Sequence, residues 1–178
     1  MLAVADRLFV TTADGEFQAV FDQELDHVWR TLRYFGVPAA DVEDAAQEVF
    51  IVVHRKLADF EGRSSVRTWV SGICLGIARN RRRRASAVRE IVTDEPGERS
   101  TDATPERELE EREAREHLAE LLATLHEDRR AVFVLHEIEE MPMKDVADVV
   151  GCTVATAYYR HQTARRELAS AAKRRGQR

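Results

Sequence analysis

The side chains best suited to chemistry on this chain are cationic, and they fall into two blocks. Nine basic and two acidic residues lie between positions 51 and 85, and seven basic residues accompany one acidic residue between 151 and 178. Arginine and lysine bind phosphate groups, so each block predicts contact with a nucleic-acid backbone. The other segments are acidic, which brings the formal net charge of the 178 residues to −5. That value excludes a polycationic coat for DNA but permits two local DNA contacts.

The first basic block combines a polar loop, an aromatic ring and a cationic helix end. Its loop contains Arg63, Ser64 and Ser65, with Arg67 and Trp69 directly after it. Aromatic rings stack on unpaired bases and arginines follow the phosphate backbone, so this pattern favours single-stranded or opening DNA. Core packing of the tryptophan and a solvated helix end are the structural alternatives. The residues further along the helix that join this candidate site are Arg79, Asn80 and Arg83.

The second basic block follows the strongest local motif of the chain, a helix-turn-helix. Val146, Ala147 and Val150 give its first helix an apolar face, and Gly151 supplies a left-handed turn. Thr153 is placed to cap the second helix, whose first residues would enter the major groove and read bases. A plain helical hairpin is the alternative, but the glycine turn followed by a basic helix favours DNA binding. The candidate DNA-reading residues are Thr153, Thr156, Tyr158, Tyr159, Arg160 and Arg165.

Helical periodicity surrounds both sites, and no alternating strand pattern interrupts it. Apolar residues at helical spacing over positions 17–32 predict one helix, which Gly36 would end. A second apolar stripe over positions 42–57 predicts a helix of about 16 residues with Asp41 as its N-cap. A third helix is expected over positions 66–81. These helices must hold the loop of the first basic block in place.

The periodic pattern stops over residues 86–106, between the two basic sites. This segment is acidic and rich in Ser, Thr and Pro, which predicts a flexible linker. The chain is therefore predicted to be all-α, with two small helical domains over residues 1–85 and 107–178 joined by that linker. The helix-turn-helix lies in the C-terminal domain.

Several classes of protein are excluded by patterns that the sequence lacks. No run of about 18 apolar residues exists, so no membrane insertion is expected, and the first residues lack a signal-peptide pattern. Two distant cysteines, Cys74 and Cys152, are not a disulfide scaffold, which fits a cytoplasmic location. No phosphate-binding glycine loop, metal-binding motif or nucleophile elbow is present. The sequence therefore predicts no enzyme activity, no metal site and no cofactor.

The order of these motifs resembles that of bacterial RNA polymerase sigma factors of the extracytoplasmic-function (ECF) type. Residues 41–50 are similar to the family's segment that binds the clamp helices of the largest polymerase subunit. Residues 60–69 resemble its loop that captures a flipped base of the minus-10 promoter element. Residues 118–172 resemble region four, which reads the minus-35 element and contacts the polymerase flap. The polymerase-binding residues that the resemblance implies are Asp41, Asp44, Gln47 and Glu48.

The resemblance implies a transcription initiation factor with three kinds of partner, namely core RNA polymerase, promoter DNA and an anti-sigma factor. The N-terminal domain would correspond to region two, which binds core polymerase and assists melting, and the C-terminal domain to region four. A stand-alone helix-turn-helix regulator is the alternative, and it would leave residues 41–69 as scaffold. The sequence departs from the family pattern at four positions. Gly76 stands where Asn is usual, Tyr158 where a basic residue is common, His161 where an apolar residue is common and His126 where Pro is common.

Overall fold

The computed structural model of the protein describes the backbone of residues 2–89 and 106–175 and the side chains of residues 15–85 and 113–174. Seven α-helices and no strand occur within these ranges, so the predicted all-α fold is confirmed. The helices of the described residues are all too polar or too short to span a lipid bilayer.

The N-terminal half consists of three helices, α1 (Leu2–Tyr34), α2 (Val42–Lys56) and α3 (Val66–Arg89). The predicted end of α1 is confirmed, because Gly36 adopts a left-handed φ of +89°. The amide of Val37 then donates to the carbonyl of Leu32 over 3.0 Å, which is the closing hydrogen bond of a Schellman motif. This turn directs the chain back so that α2 packs against α1.

The prediction that the side chain of Asp41 caps α2 is wrong. Asp41 holds the capping position, but its side chain makes no capping hydrogen bond. A capping side chain works from an extended backbone, whereas Asp41 has φ −105° and ψ −4°. Its backbone is already helical because a 3-10 turn over Ala39–Asp41 leads directly into α2. The carboxylate of Asp41 is therefore left exposed on the surface.

The C-terminal half contains α4 (Glu106–Ala123), α5 (Glu127–Phe133), α6 (Met143–Val150) and α7 (Val154–Arg175). A π-helical turn over Val134–Ile138 continues α5. The predicted linker falls largely on residues 90–105, which lie outside the described residues, so its flexibility stays a prediction. Its first residues, 86–89, still belong to α3.

The two halves share one hydrophobic core, and α3 of the first half meets α6 of the second. At their contact, a Cβ placed on Gly72 would lie 3.7 Å from Cγ1 of Val149. A second contact joins the end of α1 to α5, where the guanidinium of Arg130 lies so close to Gly36 that a Cβ there would approach Nη1 to 2.5 Å. Burial, followed by the charge of Arg82, lowers the pKa of Arg130 to about 10.

A buried polar cluster lies in the same junction, where α1 faces the end of the π-helical turn. Nδ1 of His27 is 3.4 Å from a carboxylate oxygen of Glu139, and the hydroxyl of Thr31 donates to the other oxygen over 3.1 Å. Nε2 of His27 lies 3.0 Å from the hydroxyl of Ser71. Burial, followed by the charges of Arg67 and Arg30, lowers the pKa of His27 to about 4. Burial also raises the pKa of Glu139.

Candidate nucleic-acid interface

The loop of the first basic block is fixed at both of its ends. Gly62 turns the chain with a left-handed φ of +68°, and Ser65 caps α3. The hydroxyl oxygen of Ser65 accepts a hydrogen bond from the amide of Thr68 over 3.0 Å. Ser65, predicted from the sequence as a DNA contact, therefore also positions the first turn of α3.

A cavity of about 390 Å³ opens beside this loop. One of its walls is Trp69, which is half-buried and packs against Phe60 with ring centroids 5.0 Å apart at an angle of 33°. Arg63 and Ser64 form part of the rim together with Lys56. The core-packing and base-stacking interpretations of the tryptophan are compatible, because the ring has a protein neighbour and also borders a cavity. Flat rings and cations around an open cavity are the groups that hold an unpaired base.

Other cationic residues predicted for this site are already paired with carboxylates. Nε of Arg67 lies 3.0 Å from Oε2 of the buried Glu24. Arg79 lies 3.4 Å from Glu127 and 3.5 Å from Asp128, both on α5. Arg79 is ten residues along the helix from the tryptophan, or about 15 Å. The structure therefore separates Arg79 from the loop cavity and directs it toward the C-terminal half.

Asn80 and Arg83 lie on the exposed side of α3, one turn from each other. Arg83 donates a hydrogen bond to Oδ1 of Asn80. Gly76, which stands one turn before Asn80, has no atom within 4 Å of where a Cβ would lie. This part of α3 therefore has open space beside the two polar side chains, and it forms a second patch distinct from the loop cavity.

The helix-turn-helix is built as the sequence predicts. Gly151 is left-handed with a φ of +75°, and Thr153 caps α7 by accepting a hydrogen bond from the amide of Thr156 over 3.1 Å. Tyr158 and Tyr159 are 52% and 68% exposed, unusually high values for aromatic side chains. The cap aligns the first turn of α7, and the tyrosines that follow it are available to a partner.

Two arginines of α7 differ in their surroundings. Arg165 has a side chain that is 60% exposed, and its only described carboxylate neighbour is Glu137 at 3.9 Å. Arg160 is less exposed and lies 2.7 Å from Asp128 of α5. Asp128 is also the neighbour of Arg79. The structure therefore connects a predicted minus-35 contact to a predicted minus-10 contact through one carboxylate.

His161 explains one departure from the family pattern. It is buried, and its Nε2 lies 2.6 Å from a carboxylate oxygen of Glu137. This hydrogen bond is the main cause that lowers the pKa of Glu137. The ring also meets His136 edge-on at 4.9 Å. A polar residue is tolerated in the core here because the π-helical turn supplies its partner.

The predicted polymerase-binding residues share the outer side of α2. Asp44 and Gln47 are exposed, as is Asp41 in the turn before them. Glu48 is only half exposed and lies 2.7 Å from Nη2 of Arg81 on α3. Three of the four predicted residues are therefore accessible, and the fourth is held in an ion pair.

An apolar groove beside this face was missed by the sequence interpretation. It is a cavity of about 1050 Å³ between α1, α2 and a short stretch of α4 that contains Arg115 and Glu116. Trp29 and Ile51 border it and are 39% and 51% exposed. The sequence carried one signal of the groove, because Ile51 lies outside the buried stripe of α2, one turn after Gln47. Aromatic side chains fill its floor, namely Phe17, Phe21 and Phe50.

Comparison with known protein families matches both halves of the chain. Residues 20–88 match the family model for Sigma-70 region 2, and residues 115–168 match that for Sigma-70, region 4. The first match contains the loop cavity and the α2 face. The second contains the helix-turn-helix.

Several curated proteins are similar over most of the chain. The ECF RNA polymerase sigma-E factor of Escherichia coli strain K12 is 30% identical over 141 residues, which cover 74% of this chain and 74% of that protein. The sigma-E factor of Salmonella typhimurium strain LT2 has the same identity and coverage. The sigma-E factor of Haemophilus influenzae is 28% identical over 125 residues, covering 65% of this chain and 66% of that protein.

Two solved structures have a similar fold. CnrH, in complex with the cytosolic domain of CnrY, gives a TM-score of 0.64 at 25% identity and covers 95% of this chain and 97% of its own. The sigma factor RpoE of Bartonella quintana, in complex with the anti-sigma factor NepR, gives a TM-score of 0.64 at 23% identity. That likeness covers 86% of this chain and 96% of RpoE.

Proposed function

The chain belongs to the extracytoplasmic-function family of bacterial RNA polymerase sigma factors, and on that premise we propose which of its surfaces performs each step. It is a transcription initiation factor that directs core RNA polymerase to promoters. The observation that carries this function is the match of regions two and four, in that order, to the halves that hold the two basic sites. A stand-alone helix-turn-helix regulator is less favoured because it leaves region two without a function.

We propose that residues 1–85 act as region two and residues 107–178 as region four. Sigma factors are non-enzymatic initiation factors, and in our proposal this chain likewise performs no covalent chemistry. It changes the equilibrium between closed and open promoter by binding the open form more tightly. We also infer a cytoplasmic location, because the proposed action is on polymerase and DNA.

Docking on polymerase is assigned to the outer side of α2 and the apolar groove next to it. Asp44 and Gln47 supply exposed polar groups there, and Ile51 supplies exposed apolar surface. A polar rim around an apolar groove is the kind of surface onto which a partner helix packs. Asp41 lies on the same side. Glu48 is already paired with Arg81, and this ion pair has to break before Glu48 contacts polymerase.

Capture of the minus-10 element is assigned to the loop cavity beside Trp69. The ring borders the cavity and Arg63 and Ser64 lie at its rim, which supports stacking of a flipped base with cations near its phosphate. Ser65 and Arg67 position the start of α3 through the cap and the ion pair described above. The patch on α3 adds further contacts from Asn80 and Arg83, and Arg79 joins them once it leaves Glu127 and Asp128.

Recognition of the minus-35 element is assigned to the first turns of α7. The cap at Thr153 fixes the helix start, and Thr156 with the two exposed tyrosines would face base edges in the major groove. Arg160 and Arg165 would hold phosphates or guanine. An anti-sigma factor is proposed as a further partner, supported by the similar fold of RpoE, whose structure was determined in complex with the anti-sigma factor NepR.

Run-off transcription with core RNA polymerase on genomic promoter fragments tests this function. We expect the purified chain to stimulate transcription from a small set of promoters and to bind DNA weakly when core enzyme is absent. Failure to stimulate any promoter, together with tight specific duplex binding without polymerase, would favour the stand-alone regulator instead.

Two sets of variants separate docking from DNA recognition in the same assay. The double change Asp44→Ala and Gln47→Ala should weaken binding to core enzyme, because both exposed side chains lie on the proposed docking face. The matched double change Thr156→Ala and Arg165→Ala should leave core binding intact but reduce transcription from promoters that depend on the minus-35 element. Equal loss of core binding in both sets would contradict the assignment.

A further inference from the structure

Burial along α7 shows which side of this helix can meet DNA. Its buried residues recur at three-, four- and seven-residue steps, the spacing of one helix face, and they are Ala157, His161, Ala164 and Ala171. This face packs toward α4, α5 and α6. The side chains on the opposite side are exposed, namely Ala155, Tyr158, Tyr159, Gln162 and Arg166. Only this exposed side can enter the major groove while the C-terminal half stays folded.

Gln162 lies near the middle of the exposed side. An α-helix turns by about 100° and rises by about 1.5 Å per residue, so Gln162 is about 20° around the helix and about 10 Å along it from Ala155. Tyr159 lies between these two residues on the same side. Since neighbouring base pairs are about 3.4 Å apart, the three side chains cover the length of about three base-pair steps.

Two other polar residues of α7 lie at the flank of this side. Arg160 is about 140° around the helix from Ala155, and it lies 2.7 Å from Asp128 of α5. The hydroxyl of Thr156 is half-buried and lies 2.8 Å from the hydroxyl of Thr153. Both side chains therefore have protein partners, at positions where Gln162 has solvent.

The amide of Gln162 is available to a base. It makes no hydrogen bond to any other residue in the described part of the chain. A glutamine amide carries a carbonyl acceptor and an NH2 donor side by side. Adenine presents the complementary pair in the major groove, with N6 as donor and N7 as acceptor, whereas guanine presents two acceptors. Gln162 can therefore form two parallel hydrogen bonds with adenine but not with guanine.

The exposed residues that precede Gln162 on α7 are uncharged. They are Val154, Ala155, Tyr158 and Tyr159, and the first exposed cation of the helix is Arg165. Contacts to phosphate position a protein on DNA, whereas contacts to base edges carry the sequence information. A neutral surface over the first two turns is thus suited to reading bases, and Gln162 is the exposed residue there with a paired donor and acceptor.

We propose that Gln162 selects an adenine of the minus-35 element by hydrogen bonding to its N6 and N7, with Tyr159 and Ala155 facing the adjacent base pairs. The proposal rests on the function proposed above and names the base that this site prefers. Arg160 and Arg165 remain contacts of the flanks, where they position the helix without specifying that base.

Selection from a promoter library tests the proposal with core RNA polymerase loaded with the full chain. The minus-35 element is randomised, and the wild type is compared with Gln162→Met, which keeps the length and helix propensity of the side chain but removes its amide. We expect the wild type to prefer adenine at one position by about five- to a hundredfold, and the variant to lose that preference at this position alone. Gln162→Glu should instead favour cytosine there, because a carboxylate accepts from N4.

Gln18→Met is the matched control for these variants. Gln18 is an exposed glutamine of α1, where it donates a hydrogen bond to Asp22, and it lies outside the C-terminal half. We expect this variant to keep the adenine preference of the wild type. Thermal unfolding checks that all variants fold, which exposure of both glutamines favours.

A modified base tests the same contact on the wild-type chain. Each adenine that the wild type prefers is replaced in turn by 7-deazaadenine, which lacks the N7 acceptor. At one of them we expect the loaded polymerase to bind about fivefold more weakly, and Gln162→Met to show no such loss, because its hydrogen bond is already absent. Equal losses in both proteins, or no loss at any adenine, overturn the assignment of Gln162.

The library results separate this proposal from the function on which it rests. If the wild type initiates transcription but Gln162→Met has the same base preferences, the assignment of Gln162 is wrong and the proposed function stands. If the wild type initiates at no member of the library and at no genomic promoter, the proposed function itself is overturned.

Discussion

The two basic regions have nearly the same net charge in the sequence but opposite situations in the structure. In the N-terminal region, Arg67, Arg79 and Arg82 are each paired with a carboxylate. In the C-terminal region, Arg160 is also paired with a carboxylate, but Tyr158 and Tyr159 project into solvent and the side chain of Arg165 is 60% exposed. A block of positive charge therefore does not by itself mark an available DNA site.

This difference suggests an order of events. The two exposed tyrosines and Arg165 of α7 can meet duplex DNA with little rearrangement. Arg67 and Arg79 must first exchange carboxylates of the same chain for phosphates. The loop cavity beside Trp69 is an intermediate case. The cavity is open to solvent, whereas one side of α3, the helix that follows it, packs against α6. Four predictions test this comparison, from the largest expected effect to the smallest.

Acid should weaken the junction that makes the two regions differ. His27 takes up a proton at about pH 4 when folded but near its ordinary pKa of about 6.5 when unfolded. The unfolded chain therefore binds more protons between these values, and this residue's contribution to stability is lost as the pH falls from about 6.5 to 4, by about 3 kcal/mol over the whole window. The raised pKa of Glu139 acts in the opposite direction above its ordinary value.

Chemical denaturation at several pH values measures this effect through a difference. The free energy of unfolding of the wild type should fall more steeply between pH 6.5 and 4 than that of His27→Gln, which retains a hydrogen-bonding side chain without the titration. Parallel curves for the two proteins would show that His27 does not couple the junction to pH.

Trp69→Ala should impair promoter opening more than initial promoter binding. Loss of stacking on one base costs about 1–3 kcal/mol, so the fraction of open complexes should fall about five- to a hundredfold. Permanganate reactivity of thymines reports opening, and total complex formation reports binding. A promoter with a preformed bubble should restore activity, and a circular dichroism melt checks folding because the ring also packs against Phe60. Loss of binding and opening to the same extent would argue against the assigned role.

Arg165→Ala should reduce promoter affinity without a cost to stability, because its side chain is exposed. We expect about a tenfold loss at promoters that depend on the minus-35 element and a change in unfolding free energy below about 0.5 kcal/mol. Arg160→Ala is the comparison variant, because it also breaks the ion pair with Asp128 and should disturb the junction. If the two variants have the same free energy of unfolding and the same distance between their halves, Asp128 does not link the minus-10 and minus-35 sites.

The two N-caps should have equal effects on stability and unequal effects on function. Ser65→Ala and Thr153→Ala each remove a side-chain oxygen that accepts a hydrogen bond from a helix amide, at a cost of about 1 kcal/mol. Only the threonine variant should weaken duplex recognition upstream, and only the serine variant should weaken opening. Denaturation midpoints and the two promoter assays measure these outcomes, and a reversed pattern would exchange the roles of the two regions.

Local features of the fold could be predicted from the sequence because they depend on neighbouring residues. The turn at Gly36, the left-handed Gly151 and the cap at Thr153 each follow from residue type and spacing, and each is found in the structure. The cap at Asp41 failed because the backbone before α2 is already helical, which its composition did not reveal.

The junction and the groove could not be predicted because they join residues that are distant in sequence. Nothing near Arg79 indicates that its partners are Glu127 and Asp128, since such ion pairs depend on how whole helices pack. The groove between α1 and α2 likewise arises from packing, and Ile51 was its only sequence signal. The sequence could nominate candidate binding residues, but it could not show which of them are paired with carboxylates of the same chain.

The polar character of the junction has a consequence for the separated halves. His27, Thr31 and Arg130 are buried there alongside apolar side chains, and water can hydrate all three once the halves part. An interface made only of leucine and valine would instead leave two adhesive patches exposed, with a risk of aggregation. Hydration of these three groups therefore offsets part of the cost of exposing the apolar side chains of the junction.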